Sequence, residues 1–347
     1  MNARVAIVVT DRLPAKALDG AASDESPRHW IAALADDALA DELNAQVFAP
    51  TKRRTGHMTL RGIKAAWSAF RRRGEYDVVI TDAEAAGFAL AVLFKLTRSK
   101  KKLVIYGEGR ATHKGPDRIV RLLGVRNKVD SIICLGQVNA DRYVEILNYP
   151  REKIHCIPRP MDHHFWRPLD LPTEDFICSA VGQEYQDYPT LVEAIRGTDA
   201  QLHVAGTVPW QLKDTPDVIP DNITFKRYNP VELREMYSKA AFVAVSLRGD
   251  RGGQAGSRVV YEAMSMGKAV IATRSRGLIG LGVMSEGETC LFVDSGDAEG
   301  WRTAIATLRN DPAKVQEMGA KARKVVENGV NLRQHVTSVA EIVRALS

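Results

Sequence analysis

Apolar runs of strand length, rich in valine and isoleucine and without polar alternation, recur along the 347-residue chain and alternate with segments of helical period. A strand with one wet face alternates polar and apolar residues. A strand apolar at every position is covered on both faces, which demands parallel βαβ units with helices above and below the sheet. The first series of expected strands is "VAIVVT" (5–10), "AQVFA" (45–49), "DVVIT" (77–81), "KLVIYG" (102–107), "SIICLG" (131–136) and "KIHCIP" (153–158). Helices are expected near 27–44, 59–73, 84–98, 116–128 and 138–148. The proline-rich, irregular "RPMDHHFWRPLDLPTED" (159–175) interrupts this alternation, which then restarts. The second series is "FICSAV" (176–181), "QLHVAG" (201–206), "NITFK" (222–226), "AFVAVS" (241–246), "KAVIAT" (268–273) and "CLFVD" (290–294). The restart predicts an α/β protein of two doubly wound domains, residues 1–160 and 170–330. Ligands are expected at the carboxyl ends of the strands, in a cleft between the domains.

What the loops lack narrows the ligand. Neither "DRLPAKALDG" after the first strand nor "GEGRATHKG" (107–115) after the fourth has the G-x-G-x-x-G spacing of a dinucleotide site, and no P-loop or G-x-S-x-G elbow occurs. The four cysteines, Cys134, Cys156, Cys178 and Cys290, lie in apolar strand-like segments without C-x-x-C spacing, so buried reduced thiols are expected and no zinc. His163 and His164, adjacent in the linker, are read as exposed or packing residues that point apart. The longest apolar run, "AAGFALAVLF" (85–94), is far short of a bilayer span, and the N-terminus lacks a signal-peptide pattern, so a cytoplasmic protein is expected.

Charge is uneven. Residues 1–160 hold 27 Lys and Arg against 18 Asp and Glu, within a whole-chain net charge of +6. The excess sits in "KRR" (52–54), "RGIKAAWSAFRRRG" (61–74), "KLTRSKKK" (95–102) and "RIVRLLGVRNK" (118–128), all expected as helices or helix ends. Such a face is either a solvated helix surface or one that meets an anion, whether nucleic acid, anionic lipid or phosphorylated substrate. The basic helices lack the interleaved aromatics of a base-stacking platform, so nucleic acid ranks last. Leu60, Ile63, Trp67 and Phe70 recur at helical spacing opposite Arg61, Lys64 and Arg71. That stripe is read as the face packed on the sheet, the alternative being a helix lying on a membrane.

The segment "GDRGGQAGSRVVYEAMSMGKAVIAT" (249–273) places a glycine-rich loop before a helix. Bare N–H groups and the positive end of a helix dipole favour an anion there, phosphate first. Glu262, five residues inside from Ser257, is too deep to cap the helix. It suits a hydroxylated group just beyond the phosphate, as a ribose would be; the other reading is a packing turn.

Three segments together resemble the GT-B glycosyltransferases of group 1, also called family 4. They are "DSIICLGQVNADRYVEILNYPREKIHCIPRPMDHHFWRP" (130–168), "SAVGQEYQDYPTLVEAI" (179–195) and "QAGSRVVYEAMSMGKAVIATRSRGLIGLGVMSEGETCLFVDSGDAEGWRTAI" (254–305). The resemblance covers roughly 130–330, and the earlier third only in architecture. It implies two Rossmann-like domains facing across a cleft, the first for the acceptor and the second for a nucleotide-sugar donor. Residues 331–347 would form a helix crossing back to the N-terminal domain on Val336, Val339, Ile342, Val343 and Leu346. It also implies sugar transfer with retained configuration, without metal or cofactor.

Residue by residue, the resemblance assigns the donor to Gly182, Gln183, Arg248, Arg251, Gly253, Ala255, Gly256, Ser257, Arg258 and Glu262, with Glu262 on the ribose. Gln254 replaces the glutamate that normally touches the transferred sugar; it keeps a carbonyl acceptor but loses the charge. The family's diphosphate-clamping cations would fall near Gln183 and Asp187, neither a cation, so Arg248, Arg251 and Arg258 are the candidate replacements. From the loop "GEGRATHKG", His113 and Glu108 are the candidates to approach the reacting sugar. The basic first half favours an anionic or lipid-linked acceptor and weak peripheral contact with the inner membrane face. Alternatives are a catalytically silent sugar-nucleotide or glycan-binding relative and a GT-B-shaped sugar-nucleotide epimerase.

Overall fold

The structure is a computed structural model that describes residues 3–11, 24–35, 43, 45–50, 58–113, 115–180, 185–206, 219–249 and 253–346. The chain divides into two compact units, one of Met1–Ala21, Arg28–Pro160 and Leu332–Ser347, the other of Ala22–Pro27 and Met161–Asn331.

In the first unit the strands are β1 (Val5–Val8), β2 (Gln46–Phe48), β3 (Val78–Thr81), β4 (Lys102–Gly107), β5 (Ser131–Cys134) and β6 (Ile154–Cys156). All pair in parallel in the order β2-β1-β3-β4-β5-β6, with Ile7 between Val47 and Ile80. The helices are α1 (Trp30–Ala35), α2 (Met58–Arg71), α3 (Glu84–Leu96), α4 (Pro116–Leu123) and α5 (Gln137–Leu147). One core lies between the sheet and α2, α3 and α5; a second, on the other face, takes α1. The expected helix 116–128 ends early because Gly124 adopts a left-handed conformation, φ 56°, and a 3-10 turn, Arg126–Lys128, follows it. Of the expected helix 27–44, residues 30–35 are helical, while 36–42 and 44 lie outside the described residues.

The stripe expected to pack on the sheet is largely reversed. Leu60, Ile63 and Trp67 are exposed and only Phe70 of the four is buried; the packed face of α2 is Gly62, Ala65, Ala66 and Ala69. The reason is closeness of approach. A Cβ at Gly62 would stand 2.6 Å from the Ala85 Cβ, so α2 meets α3 through small side chains and leaves the large ones outside. Two smaller expectations also change. Cys156 is exposed, since β6 is an edge strand, while the other three cysteines are buried, and all four are free. His163 and His164 do not point apart; their ring centroids are 4.1 Å from each other.

The second unit repeats the plan with β7 (Phe176–Ala180), β8 (Gln201–Ala205), β9 (Ile223–Lys226), β10 (Phe242–Val245), β11 (Val270–Thr273) and β12 (Cys290–Val293). Their order is β12-β11-β10-β7-β8-β9, again all parallel. Its helices are α6 (Tyr188–Ile195), α7 (Pro230–Lys239), α8 (Ser257–Ser265), α9 (Arg276–Ile279), α10 (Ala298–Arg309) and α11 (Pro312–Gly329). The last helix, α12 (Leu332–Leu346), belongs to the first unit, where Val336, Val339, Ile342 and Val343 join Val5, Ile7 and Ile31 in one core.

Candidate active site

In the second unit the strand ends carry a hydrogen-bonded platform. After β10, the Leu247 N–H donates to Thr273 Oγ1 (2.9 Å), the Arg248 N–H to the Tyr185 carbonyl (2.8 Å) and the Gly249 N–H to Ser295 Oγ (2.7 Å). Ser246 Oγ donates to the Asp187 carbonyl at 2.7 Å. The loops that follow β7, β10, β11 and β12 are thereby tied together at one end of the sheet. Asp187, near which a clamp cation was sought, is the N-cap of α6, its carboxylate accepting from the Thr190 hydroxyl at 2.8 Å. It serves the helix.

Next to this platform begins α8. Its N-cap, Gly256, has φ 76°, and a Cβ there would stand 2.9 Å from Val245 Cγ1, so glycine is required both by conformation and by the approach to β10. Among the described residues no side chain caps this helix, and the Ser257 N–H turns back to the Gln254 carbonyl at 3.1 Å. Gly253 is exposed, Gln254 and Ala255 are half-buried, and Ser257 is buried.

Glu262 is only 3% exposed, and each of its oxygens already holds a protein donor: Arg258 Nε at 2.7 Å on Oε1 and the Tyr237 hydroxyl at 3.2 Å on Oε2. Burial and then the neighbouring carboxylate push the Tyr237 phenol well above its ordinary range, so it stays a donor. Arg258, four residues back on the same helix face, is thus a partner of Glu262 before it is anything else, although most of its side chain is exposed. A carboxylate offers about four acceptor positions, so two bonds alone do not exhaust it. Gly182, Gln183 and Arg251 lie outside the described residues, and the Arg248 side chain is half-buried.

The first unit has a cavity of about 320 Å³ at the carboxyl ends of β1, β3, β4, β5 and β6, lined among others by Asp11, Asp82, Glu108, His29, Trp30 and Arg159. Asp82 accepts the Thr10 N–H on both oxygens at 3.0 Å and the Thr10 hydroxyl at 3.2 Å. Burial, opposed by those bonds and aided by Glu108 and Asp11, raises its pKa to about 6. Asp11 pairs with the Arg61 guanidinium. The loop bearing Glu108 is shaped from beneath: buried Glu84 accepts the Gly109 N–H and the Ala111 N–H, each at 2.6 Å, and the Tyr143 hydroxyl. The two candidates from that loop part company here, because Glu108 lines the cavity whereas His113 is exposed and does not.

Sequence reasoning did not single out Asp11, Asp82, Glu84, His29 or Arg159. A signal for two of them was present, because "VTD" (9–11) and "TD" (81–82), like "GE" (107–108), each put an acidic residue at the carboxyl end of a strand, where a doubly wound sheet holds its ligand. Among the described residues no group of three His, Cys, Asp or Glu is placed to hold a metal ion.

Two six-stranded parallel units, one of them bearing an uncapped helix N-terminus and a buried glutamate one turn further in, define a protein of the GT-B class. Residues 181–311 match the family described as Glycosyl transferases group 1. Among curated proteins, D-inositol 3-phosphate glycosyltransferase of Rhodococcus opacus (strain B4) is 36% identical over 99 residues, 28% of this chain. The chain thereby spans about a fifth, 21%, of that relative's length. Among solved structures, Anabaena HepE in complex with UDP superposes with a TM-score of 0.74 at 13% identity, covering 99% of this chain and 100% of that one. Sucrose-phosphate synthase of Thermosynechococcus elongatus gives 0.68 at 16%, covering 99% of each chain. The chain has the GT-B fold, and its segment 181–311 resembles the glycosyl transferases of group 1.

Proposed function

We propose that the protein is a glycosyltransferase that moves a sugar from a nucleotide-diphosphate sugar to a hydroxyl of an acceptor. The observation that carries the reading is the start of α8: left-handed Gly256 seated against β10, bare N–H groups behind it and Glu262 within the same helix. The diphosphate lies at that N-terminus, helped by Arg248 and Arg251, and the ribose hydroxyls donate to Glu262, whose position Arg258 and Tyr237 fix. UDP is the first nucleotide to test, since the Anabaena relative is seen with it.

Transfer breaks the bond from the anomeric carbon to phosphate and forms one to the acceptor oxygen, with retained configuration and no metal or cofactor. The acceptor's proton passes to the departing phosphate. The protein's part is positioning and charge stabilisation, with Gln254 hydrogen-bonded to the reacting sugar. The second unit takes the donor and the first the acceptor, whose hydroxyls suit the carboxylates of Asp82 and Glu108. This reading places the protein in the cytoplasm, at the inner face of the membrane, working on an anionic or lipid-linked acceptor.

Two substitutions separate the roles. Glu262→Ala is expected to weaken UDP and the UDP-sugar by a similar factor, on the order of 10 to 100, as removal of hydrogen bonds to a charged group does. Gln254→Ala is expected to leave UDP affinity nearly unchanged and to lower turnover, because its contact is with the sugar. Calorimetry beside donor-hydrolysis and transfer rates measures both. Undiminished UDP affinity in a folded Glu262→Ala protein removes the ribose assignment. Donor interconversion without acceptor would instead identify an epimerase, and binding without turnover a silent relative.

A further inference from the structure

In a soluble doubly wound domain the outer side of each helix is polar. On one side of the first unit it is not. From Ala85 to Phe94, α3 carries no polar or charged side chain, so the half-buried Ala89, Val92 and Leu93 at the margin of the core are apolar as well as its inner ridge. A helix apolar all round needs cover on every side. Yet its neighbours extend the apolar surface: Trp67 on α2 is 54% exposed, Leu96 at the end of α3 76%, and Ile119 and Leu122 on α4 60% and 88%. The three helices lie on one face of the sheet and are tied to one another. α2 meets α3 at Gly62 and Ala85, and Lys95 Nζ donates to the Leu123 carbonyl at 2.8 Å, joining α3 to α4.

The rim of this surface is cationic. Lys64, Arg71, Lys95, Arg98, Arg118 and Arg121 are all exposed. Across α2, α3 and α4 the carboxylates are only Glu84, which is buried, and Asp117, which accepts the Gly115 N–H at 2.9 Å and lies 3.9 Å from Arg121. A second copy docked by the same face would set two cationic rims against each other, with only Asp117, already beside Arg121, to meet them. Protruding leucine, isoleucine and tryptophan among lysine and arginine is the composition of a surface that enters the boundary of an anionic bilayer, aliphatic side chains toward the acyl region and cations at the headgroups.

We propose that the α2–α3–α4 face docks on a bilayer of anionic lipid. This deepens the peripheral contact included in the functional reading but does not depend on sugar transfer. Its test is binding of the whole protein to vesicles of phosphatidylcholine alone and of phosphatidylcholine with about one third phosphatidylglycerol, a charged surface adding affinity for each basic residue. The expected result is at least a tenfold preference for the anionic vesicles, reduced by salt. Acyl-chain bromine should quench a tryptophan emission present in the parent and absent in Trp67→Phe. Ile119→Ser with Leu122→Ser, at positions outside the core, should weaken binding tenfold or more, and Lys64→Gln and Arg118→Gln roughly fivefold each. UDP affinity by calorimetry should stay at the parent value in all of them, which separates this surface from the nucleotide site. Equal binding to both vesicle types, or variants that bind as the parent does, would overturn the proposal. So would a concentration-dependent dimer abolished by Leu122→Ser, which would give the face to a second copy.

Discussion

Glu84 opens α3 and is buried, yet its carboxylate is the anchor of a loop twenty-odd residues away in sequence. Burial raises its pKa, and three donors, the Tyr143 hydroxyl and the Gly109 and Ala111 N–H groups, pull the other way. Glutamine there retains one acceptor oxygen and turns an NH2 toward an N–H that had been bonded. Glu84→Gln is therefore expected to destabilise the fold by about 1 to 3 kcal/mol, the range for a buried donor left unpaired. It should also free the Glu108 loop, seen as loss of hydrogen-exchange protection at Gly109 and Ala111. Protection equal to the parent's would mean that the loop is held by other contacts. Such an anchor is hard to read from sequence. Glu84 looks like an ordinary first-turn glutamate favoured by the helix dipole, and only the loop folding back over it reveals the second use. Glu262 was the opposite case: its depth inside α8 was legible, because a glutamate five residues in cannot serve as a cap. The Arg258 and Tyr237 bonds were not, since Tyr237 reaches it from α7.

At the scale of elements, the inner strands and their parallel pairing were legible because β1, β3, β10 and β11 are apolar nearly throughout, a pattern that only a sheet covered on both faces sustains. Helix faces were less so. Size, not hydrophobicity, decided α2: the Gly62, Ala65, Ala66 and Ala69 face packs because it lets α3 come near, and a hydrophobic-periodicity argument weighs Trp67 above alanine. The start of α8 was marked by its glycines, and the structure supplies the reason for one of them. Gly256→Ala would put a side chain on a left-handed residue and a Cβ 2.9 Å from Val245 Cγ1. It is expected to cost about 1 to 3 kcal/mol of stability, as a non-glycine residue held in that conformation does. UDP binding should weaken along with it, because the N–H groups behind Gly256 would shift. A variant with unchanged Tm and unchanged UDP affinity would show that α8 can move off β10 freely, and the phosphate site would lose its rationale. By contrast Gly253, with open space where a Cβ would stand, should accept alanine with little loss of stability.

At the scale of the molecule, the chain passes into the second unit after Pro160 and returns to the first at Leu332, so one core of the first unit is completed by α12. Within that core His335 joins sheet and helix. Its Nε2 is 2.7 Å from the Tyr106 hydroxyl and its Nδ1 3.2 Å from the Pro158 carbonyl, an arrangement in which Nδ1 donates and Nε2 accepts, so the ring is neutral. Burial lowers its pKa to about 4 from an ordinary 6.5, the Pro158 contact opposing and Arg159 aiding. The unfolded chain therefore binds the extra proton at a higher pH than the folded one. The stabilisation is present above about pH 6.5, declines as the pH falls, and is gone below about 4. The span corresponds to roughly 3 kcal/mol at about 1.4 kcal/mol per pKa unit. Many carboxylates titrate in the same interval, so the informative quantity is the difference between the parent and His335→Gln, which can still accept from Tyr106 but takes up no proton. Urea unfolding followed at pH 4, 5, 6 and 7 should show the parent losing more stability than His335→Gln on acidification, by an amount approaching that span. Equal slopes would mean that His335 is already charged in the folded protein, and the bond to Tyr106 would need the opposite polarity. Removal of α12 from Leu332 onward gives the complementary expectation. The first unit should lose its cooperative transition while the second, whose cores contain no residue of that helix, keeps its own. A single transition surviving intact in both units would show that the first core does not need α12.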